Sequence, residues 1–186
     1  EINEMSSLNA GDPGNPGFAD AVELMNTGTN AVTIEGWKQT DSGAASGAVA
    51  LKLADLKVWN GTELVPATSW VIQPGAFVTF SSKKGLSGEG DGVKIYGPEG
   101  ESQLVDQASY GDGDGGISDT YTSDSRAFAA CPDGSNEFWR VTSNSFGRSN
   151  AESCISKSRR FVTNVVVNEV SNIAGKAELL NTGTTA

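Results

Sequence analysis

The chain states one stretch twice, and that repetition constrains its fold more than any other feature. Residues 21–31 read AVELMNTGTNA and residues 176–186 read KAELLNTGTTA, identical at seven of eleven positions. Ahead of each lies a second echo, Ile2-Asn3-Glu4-Met5-Ser6 matching Val167-Asn168-Glu169-Val170-Ser171. Asn3 and Asn168 lie 165 positions apart, Glu23 and Glu178 only 155, so the later unit carries the same two segments with a shorter loop between them. Solenoid repeats recur every ~20–50 residues. The spacing here instead marks two units of one domain type, a full one and the first two strands of another.

The segments between the copies read as short strands. Residues 1–5 and 21–26 open the unit, separated by the turn-rich loop 9–17. Asn26-Thr27-Gly28-Thr29 supplies a turn in which Gly28 is free to take a positive φ. Residues 31–40 read as one strand with Val32, Ile34 and Trp37 directed inward and a bend at Gly36. Residues 49–59 lead into a tight turn at Trp59-Asn60-Gly61-Thr62, and LKLADLK within them reads as either a short helix or a strand, with the strand preferred. Asn60-Gly61-Thr62 is also a glycosylation sequon, although the turn alone accounts for it. A short strand over 69–72, a type II turn at Gln73-Pro74-Gly75 and the alternating run 76–82 follow. Residues 93–96, 102–110, 125–130 and 138–142 complete the series, with 111–125 too rich in Gly and Asp for regular structure and 143–154 a polar loop. Strands this short, punctuated by Gly, Pro, Asn and Asp, describe an all-β sandwich. No apolar run approaches the roughly 18 residues of a membrane span.

Charge and composition narrow the chemistry. A net charge of −10 repels phosphate backbones, so nucleic acid is excluded as a general partner. The chain has no histidine, which removes the commonest general base, the Ser-His-Asp arrangement and most zinc sites. No enzyme activity is expected. Cys131 and Cys154 are the only cysteines. They either close a loop stabilised by about 3 kcal/mol in an oxidising compartment or remain two separate thiols. The chain starts at Glu1, one residue before a strand, as cleavage of an export signal would leave it, and as trimming would too.

A series of motifs then carries a family resemblance: an opening strand ending in Asn3-Glu4, then VELMNTGTNAVTIEGW, IQPGAFVTF, GDGVKIYGPEGESQLVDQASYG and SRAFAACPDGSNEFWRV. In this order, across residues 1–154, the series resembles the lamin tail domain family. The resemblance implies an immunoglobulin-like β-sandwich. It also implies an exported, extracellular or cell-surface, non-catalytic module of the kind found in tandem or attached to hydrolases and nucleases. Residues 45–68 and the Asp-rich loop are longer than the family norm. The expected organisation is a sandwich over 1–154, a basic linker over 155–164 holding Lys157, Arg159 and Arg160, and an incomplete two-strand repeat over 165–186.

Four groups of residues are candidates for function. Asp112, Asp114, Asp119 and Asp124, with Asp106 nearby, offer hard oxygen ligands that suit calcium, the one cofactor considered, although the spacing is not that of an EF-hand. A solubilised Gly-rich loop has the same composition. Glu4 and Glu23 recur as Glu169 and Glu178, and they read as structural carboxylates accepting backbone N–H bonds, since nothing marks a cleft or an acid of raised pKa. Trp37 and Trp139 are expected in the core, whereas Trp59 and Trp70 are open to a surface role such as a carbohydrate platform. The last group is the tail, where Val165 and Val167 fall on one face and Val166 and Val170 elsewhere.

A lone pair of strands is marginally stable in water, and its apolar positions Val165, Val167, Val170, Leu179 and Leu180 call for a cover. If Ala186 is an internal boundary, a tandem array continues the unit. If it is the natural end, another copy of the chain is the expected receiver, giving head-to-tail contacts and filaments. The alternative is a calcium-assisted module that binds carbohydrate or a surface polymer.

Overall fold

The structure, a computed structural model, describes residues 1–7, 20–41, 45–87, 90–111, 127–141 and 143–154, together with the backbone of 165–171 and 176–181. The strands in chain order are β1 (Ile2–Ser6), β2 (Ala21–Met25), β3 (Val32–Thr33), β4 (Lys38–Thr40), β5 (Val49–Ala50), β6 (Lys57–Trp59), β7 (Leu64–Pro66) and β8 (Val71–Ile72). They continue as β9 (Phe77–Ser81), β10 (Gly90–Tyr96), β11 (Leu104–Gly111), β12 (Ala127–Ala130), β13 (Phe138–Val141), β14 (Val165–Ser171) and β15 (Lys176–Asn181). One sheet has the order β13-β12-β1-β2-β9-β6-β7 and a second the order β11-β10-β4-β5, all pairings antiparallel. β3 pairs with β8, and β14 with β15, as two-stranded sheets.

The core lies between the two larger sheets. Ile2 and Met5 of β1, Val22 and Leu24 of β2, Val78 and Phe80 of β9 and Phe128 of β12 enter it from the seven-stranded side. Val93 and Ile95 of β10 and Tyr110 of β11 enter from the other, with the Tyr110 ring stacked on Phe128 at 4.5 Å between centroids. This is the all-β sandwich that the short, turn-bounded strands call for. The side-chain period of two puts the alternate residues Glu4, Glu23, Thr79 and Ala129 on the opposite face of that sheet.

Several local expectations are corrected. Residues 31–40 do not form one strand: β3 and β4 belong to different sheets, and Gly36, at φ 79°, turns the chain between them. Its positive φ does more than bend a strand, because the chain must cross from one layer to another there. The run 49–59 is broken by a 3₁₀ turn at Leu53–Asp55, separating β5 from β6. Gly28 is not among the positive-φ glycines. Its N–H instead meets the Asn26 side-chain oxygen at 3.0 Å, so Asn26 closes that turn. The turns at 60–63 and 73–76 stand as expected. Asn60 Oδ1 accepts from the N–H groups of Thr62 and Glu63, and Gly75 at φ 73° follows Pro74.

Candidate functional site

Asp112, Asp114, Asp119 and Asp124 lie outside the described residues, as does the 155–164 linker. Among the described residues no group of three or more metal-ligating side chains forms. Asp106 is described, and it serves the fold: its carboxylate accepts the N–H of Ile2 at 2.6 Å and that of Gln107 at 2.8 Å.

Burial of polar groups points elsewhere. Every residue of β1 is buried, including Asn3, Glu4 and Ser6, and so is Glu23 on β2. Register makes Glu4 and Glu23 direct cross-strand partners, flanked by Ala129 on β12 and Thr79 on β9. Two carboxylates directly opposite each other repel when both are charged, so this row needs partners from outside the sheet. Residues 143–154 supply them as a lid across the outer face. The Ser145 N–H lies 3.1 and 3.0 Å from the two Glu4 oxygens, and the Ser145 hydroxyl 3.1 Å from Oε2. Glu23 accepts from Asn3 Nδ2 at 3.0 Å, from the Thr79 hydroxyl at 3.3 Å and from the Gly147 N–H. The expectation that these glutamates accept backbone N–H bonds is therefore met.

A bulge completes the fit. The β1–β2 register slips between Ile2 and Glu4, which takes Asn3 out of the ladder. Its freed carbonyl is met by Asn150 Nδ2 at 3.0 Å, and the same amide donates to the Ala130 carbonyl, also at 3.0 Å. The Asn3 side chain spans Glu23, Asp133 Oδ1 and the Gly134 N–H, while Asp133 Oδ1 also takes the Asn150 N–H at 2.8 Å. Cys131 and Cys154 bracket the lid in a disulfide with Cα atoms 5.7 Å apart, which decides between the two readings of those cysteines.

The electrostatics depart from the sequence reading, which saw no sign of an acid of raised pKa. Burial pushes the Glu4 carboxyl well above the usual carboxylate range, and the Glu23 charge pushes the same way, against the Ser145 hydrogen bonds and the positive Arg148. Burial likewise raises Glu23 to about 8, against the bonds from Asn3, Gly147 and Thr79. Sequence found the two glutamates because both recur in the tail. It missed Ser145, Gly147, Asn150 and Asp133, which sit in loops of ordinary loop composition. The one signal that could have exposed them is polar residues at strand-interior positions, since buried polar atoms require partners.

The lid also reaches the aromatic residues. Gly147, at φ 81°, passes so close that a Cβ there would sit 2.8 Å from that of Trp59 and 2.9 Å from Leu64 Cδ2. Arg148 lies over the Trp59 ring, 4.7 Å from its centroid. Beside this contact an open groove of about 300 Å³ is lined by Trp59, Ser69, Val71, Gln73, Phe77 and their neighbours. Trp37 and Trp70 are partly buried against the core, so Trp70 is not a surface platform. Trp139, expected in the core, is half-buried, and its neighbour Phe138 packs there instead. In a four-residue strand one face goes to the core, and Phe138 takes it.

The tail hairpin repeats this geometry in its backbone. β14 and β15 pair Val167 with Leu179, Glu169 with Glu178, Val170 with Ala177 and Ser171 with Lys176, with the register slipping between Val167 and Glu169. β1 and β2 pair Ile2 with Leu24, Glu4 with Glu23, Met5 with Val22 and Ser6 with Ala21, slipping between Ile2 and Glu4. Partner for partner, bulge for bulge, the two hairpins coincide. In register, positions 167 and 170 correspond to Ile2 and Met5. Comparison of the chain with protein-family models, curated proteins and solved structures found no match.

Proposed function

We propose that the chain is a non-catalytic, extracellular structural module of the lamin-tail, immunoglobulin-like type, which self-associates head to tail by donating its C-terminal hairpin to a neighbouring subunit. The observation that carries this reading is the coincidence of the two hairpins in register and bulge. The first shows what such a hairpin becomes when complete: both faces buried, one in an apolar core and one under a lid. The second pairs only with itself among the described residues, and a two-stranded sheet alone is marginal in water. Lateral pairing with another copy supplies a sheet for its open edges. The mass of the intact chain in solution, compared with that of a chain ending at Ile155, tests the reading. A concentration-dependent mass above the monomer, lost on truncation, is the expected result. Equal monomeric masses at high concentration discard it.

The groove beside Trp59 favours a second reading, a module that binds carbohydrate or a surface polymer with calcium held by the acidic loop. It offers an indole, an amide and a hydroxyl on an open surface. Calorimetry with glycans, with and without calcium, separates the two, because assembly alone gives no heat on glycan addition.

A further inference from the structure

The two larger sheets end in four edge strands, which differ as surfaces for a further strand. β5 has two residues, β7 three ending in Pro66, and β13 four, whereas β11 has eight. A short strand gives a partner little to pair with, and proline lacks the N–H a ladder needs, so three of the four edges are blunted. β11 has neither defence. It carries no lysine or arginine, and its one charge, Asp106, is drawn to the Ile2 and Gln107 N–H groups. Its register with β10 steps from Asp106 opposite Ile95 to Leu104 opposite Tyr96, skipping Val105. Such a bulge ends the alternation of faces. Leu104 and Val105 accordingly both stand in solvent, 48% and 40% exposed, and Val71 is the one other large apolar residue so placed among the described residues.

Charge and length indicate what covers this edge. Over residues 1–154 nine Lys and Arg stand against 21 Asp and Glu, a net of −12, whereas over 155–186 four stand against two, a net of +2. The tail is thus the cationic end of an anionic chain, and the sandwich of a second copy attracts it. Three of its four cations, Lys157, Arg159 and Arg160, precede β14 in the linker, and Glu99 is exposed in the turn that leads into β11. β14 has seven residues, four of them valine, against the eight of β11. We infer that β11 is the edge that receives the C-terminal hairpin of a second copy of the chain, so that the four-stranded sheet continues into the donated one. This rests on the head-to-tail reading and adds the acceptor to it. Among the described residues β11 has a strand on one side only, β10. Main-chain bonds along its other side supply the pairing, Leu104 and Val105 supply apolar contact, and opposite net charge draws tail and sandwich together.

The experiment is light scattering on the full chain over a range of concentrations, with three proteins: the unaltered chain, Leu104→Lys combined with Val105→Lys, and Val71→Lys. The last puts the same charge on an exposed apolar residue away from β11. The unaltered chain and Val71→Lys are expected to gain mass with concentration, and the double variant to stay monomeric. That variant keeps its tail, so it still donates. Mixed in equal amount with the unaltered chain it caps growing ends, and the mean mass is expected to fall towards that of a dimer. An unaltered chain that stays monomeric at high concentration ends the head-to-tail reading and this inference with it. Growth of the double variant equal to that of the unaltered chain overturns the inference alone and sends the tail to another edge. A monomeric double variant that leaves the mixture's assemblies unchanged also overturns it, because β11 then pairs with its own copy and not with the tail. Should the double variant fail to fold, amide exchange on the unaltered chain decides. Protection over residues 104–109 that rises as mass grows supports β11 as the acceptor, and protection there that stays level while mass grows excludes it.

Discussion

The front hairpin, β1–β2, and the back hairpin, β14–β15, share a backbone register and a bulge, and differ in the residues at equivalent positions. Where the front has Ile2, Met5 and Val22 the back has Val167, Val170 and Ala177, and where the front has Ala21 the back has Lys176. The polar signature is kept, with Asn168, Glu169 and Glu178 standing for Asn3, Glu4 and Glu23. The difference teaches that the back hairpin is not a spare for the front one. Placed in the front cradle it would leave three cavities and bury a lysine where Ala21 is now sealed. A neighbour's tail would thus not displace β1–β2, and the proposed head-to-tail assembly would add the hairpin to a neighbour rather than exchange it.

The strongest test is to graft the back onto the front. Ile2→Val, Met5→Val, Val22→Ala and Ala21→Lys together are expected to cost more than about 5 kcal/mol, summing core-truncation costs and the burial of a lysine. That exceeds a large share of the stability of most domains, so the graft is expected to leave the chain unfolded at room temperature by circular dichroism. A graft that melts like the parent would show the hairpins to be interchangeable and would restore exchange as the assembly route. Next in size is Asn150→Ala, which strips partners from the Asn3 and Ala130 carbonyls and from Ser145. It is expected to lower unfolding free energy by about 3 kcal/mol in urea titration. Glu178→Ala, in the back hairpin, is expected to leave the transition of the 1–154 sandwich unmoved, and a lowered transition would break the comparison.

How much of this was legible beforehand follows from the range over which each signal acts. The all-β fold was readable because strand alternation and turn residues are local: Asn60-Gly61 and Pro74-Gly75 carry their own geometry. The breaks in 31–40 and 49–59 were not, because neither the crossing at Gly36 nor the 3₁₀ turn at Leu53–Asp55 shows until both sheets are placed. The site divides in the same way. Glu4 and Glu23 announced themselves by being said twice, whereas Ser145 and Asn150 reach β1 across more than 140 positions of chain. No local pattern in 143–154 foretells a lid over buried carboxylates.

Smaller effects sharpen the comparison within the front unit. Gly147→Ala combines a positive φ with a methyl group pressed on Trp59 and Leu64, and is expected to cost about 2 kcal/mol. Since Gly147 carries the N–H that meets Glu23, the loss should appear first as faster amide exchange in the lid and only then in the global melt.

The smallest loss expected within the front unit is that of Ile2→Val alone, which removes one methylene facing the core and converts the front hairpin to the back one at a single register position. Ile2 is 1% exposed and sits with Leu24 and Phe128 in the main cluster, so the cavity has little freedom to collapse. The cost should fall at about 1 kcal/mol. Its value lies in the pairing with Val167→Ile, the reverse change at the equivalent place in the tail. If the back hairpin waits for a cover in the isolated subunit, the added methylene has nothing to pack against and leaves monomer stability unchanged. Its effect would instead appear in the concentration dependence of the assembled mass. A stabilised monomer would mean that the tail already packs on its own sandwich, and the comparison would then be between two completed hairpins rather than between one completed and one waiting.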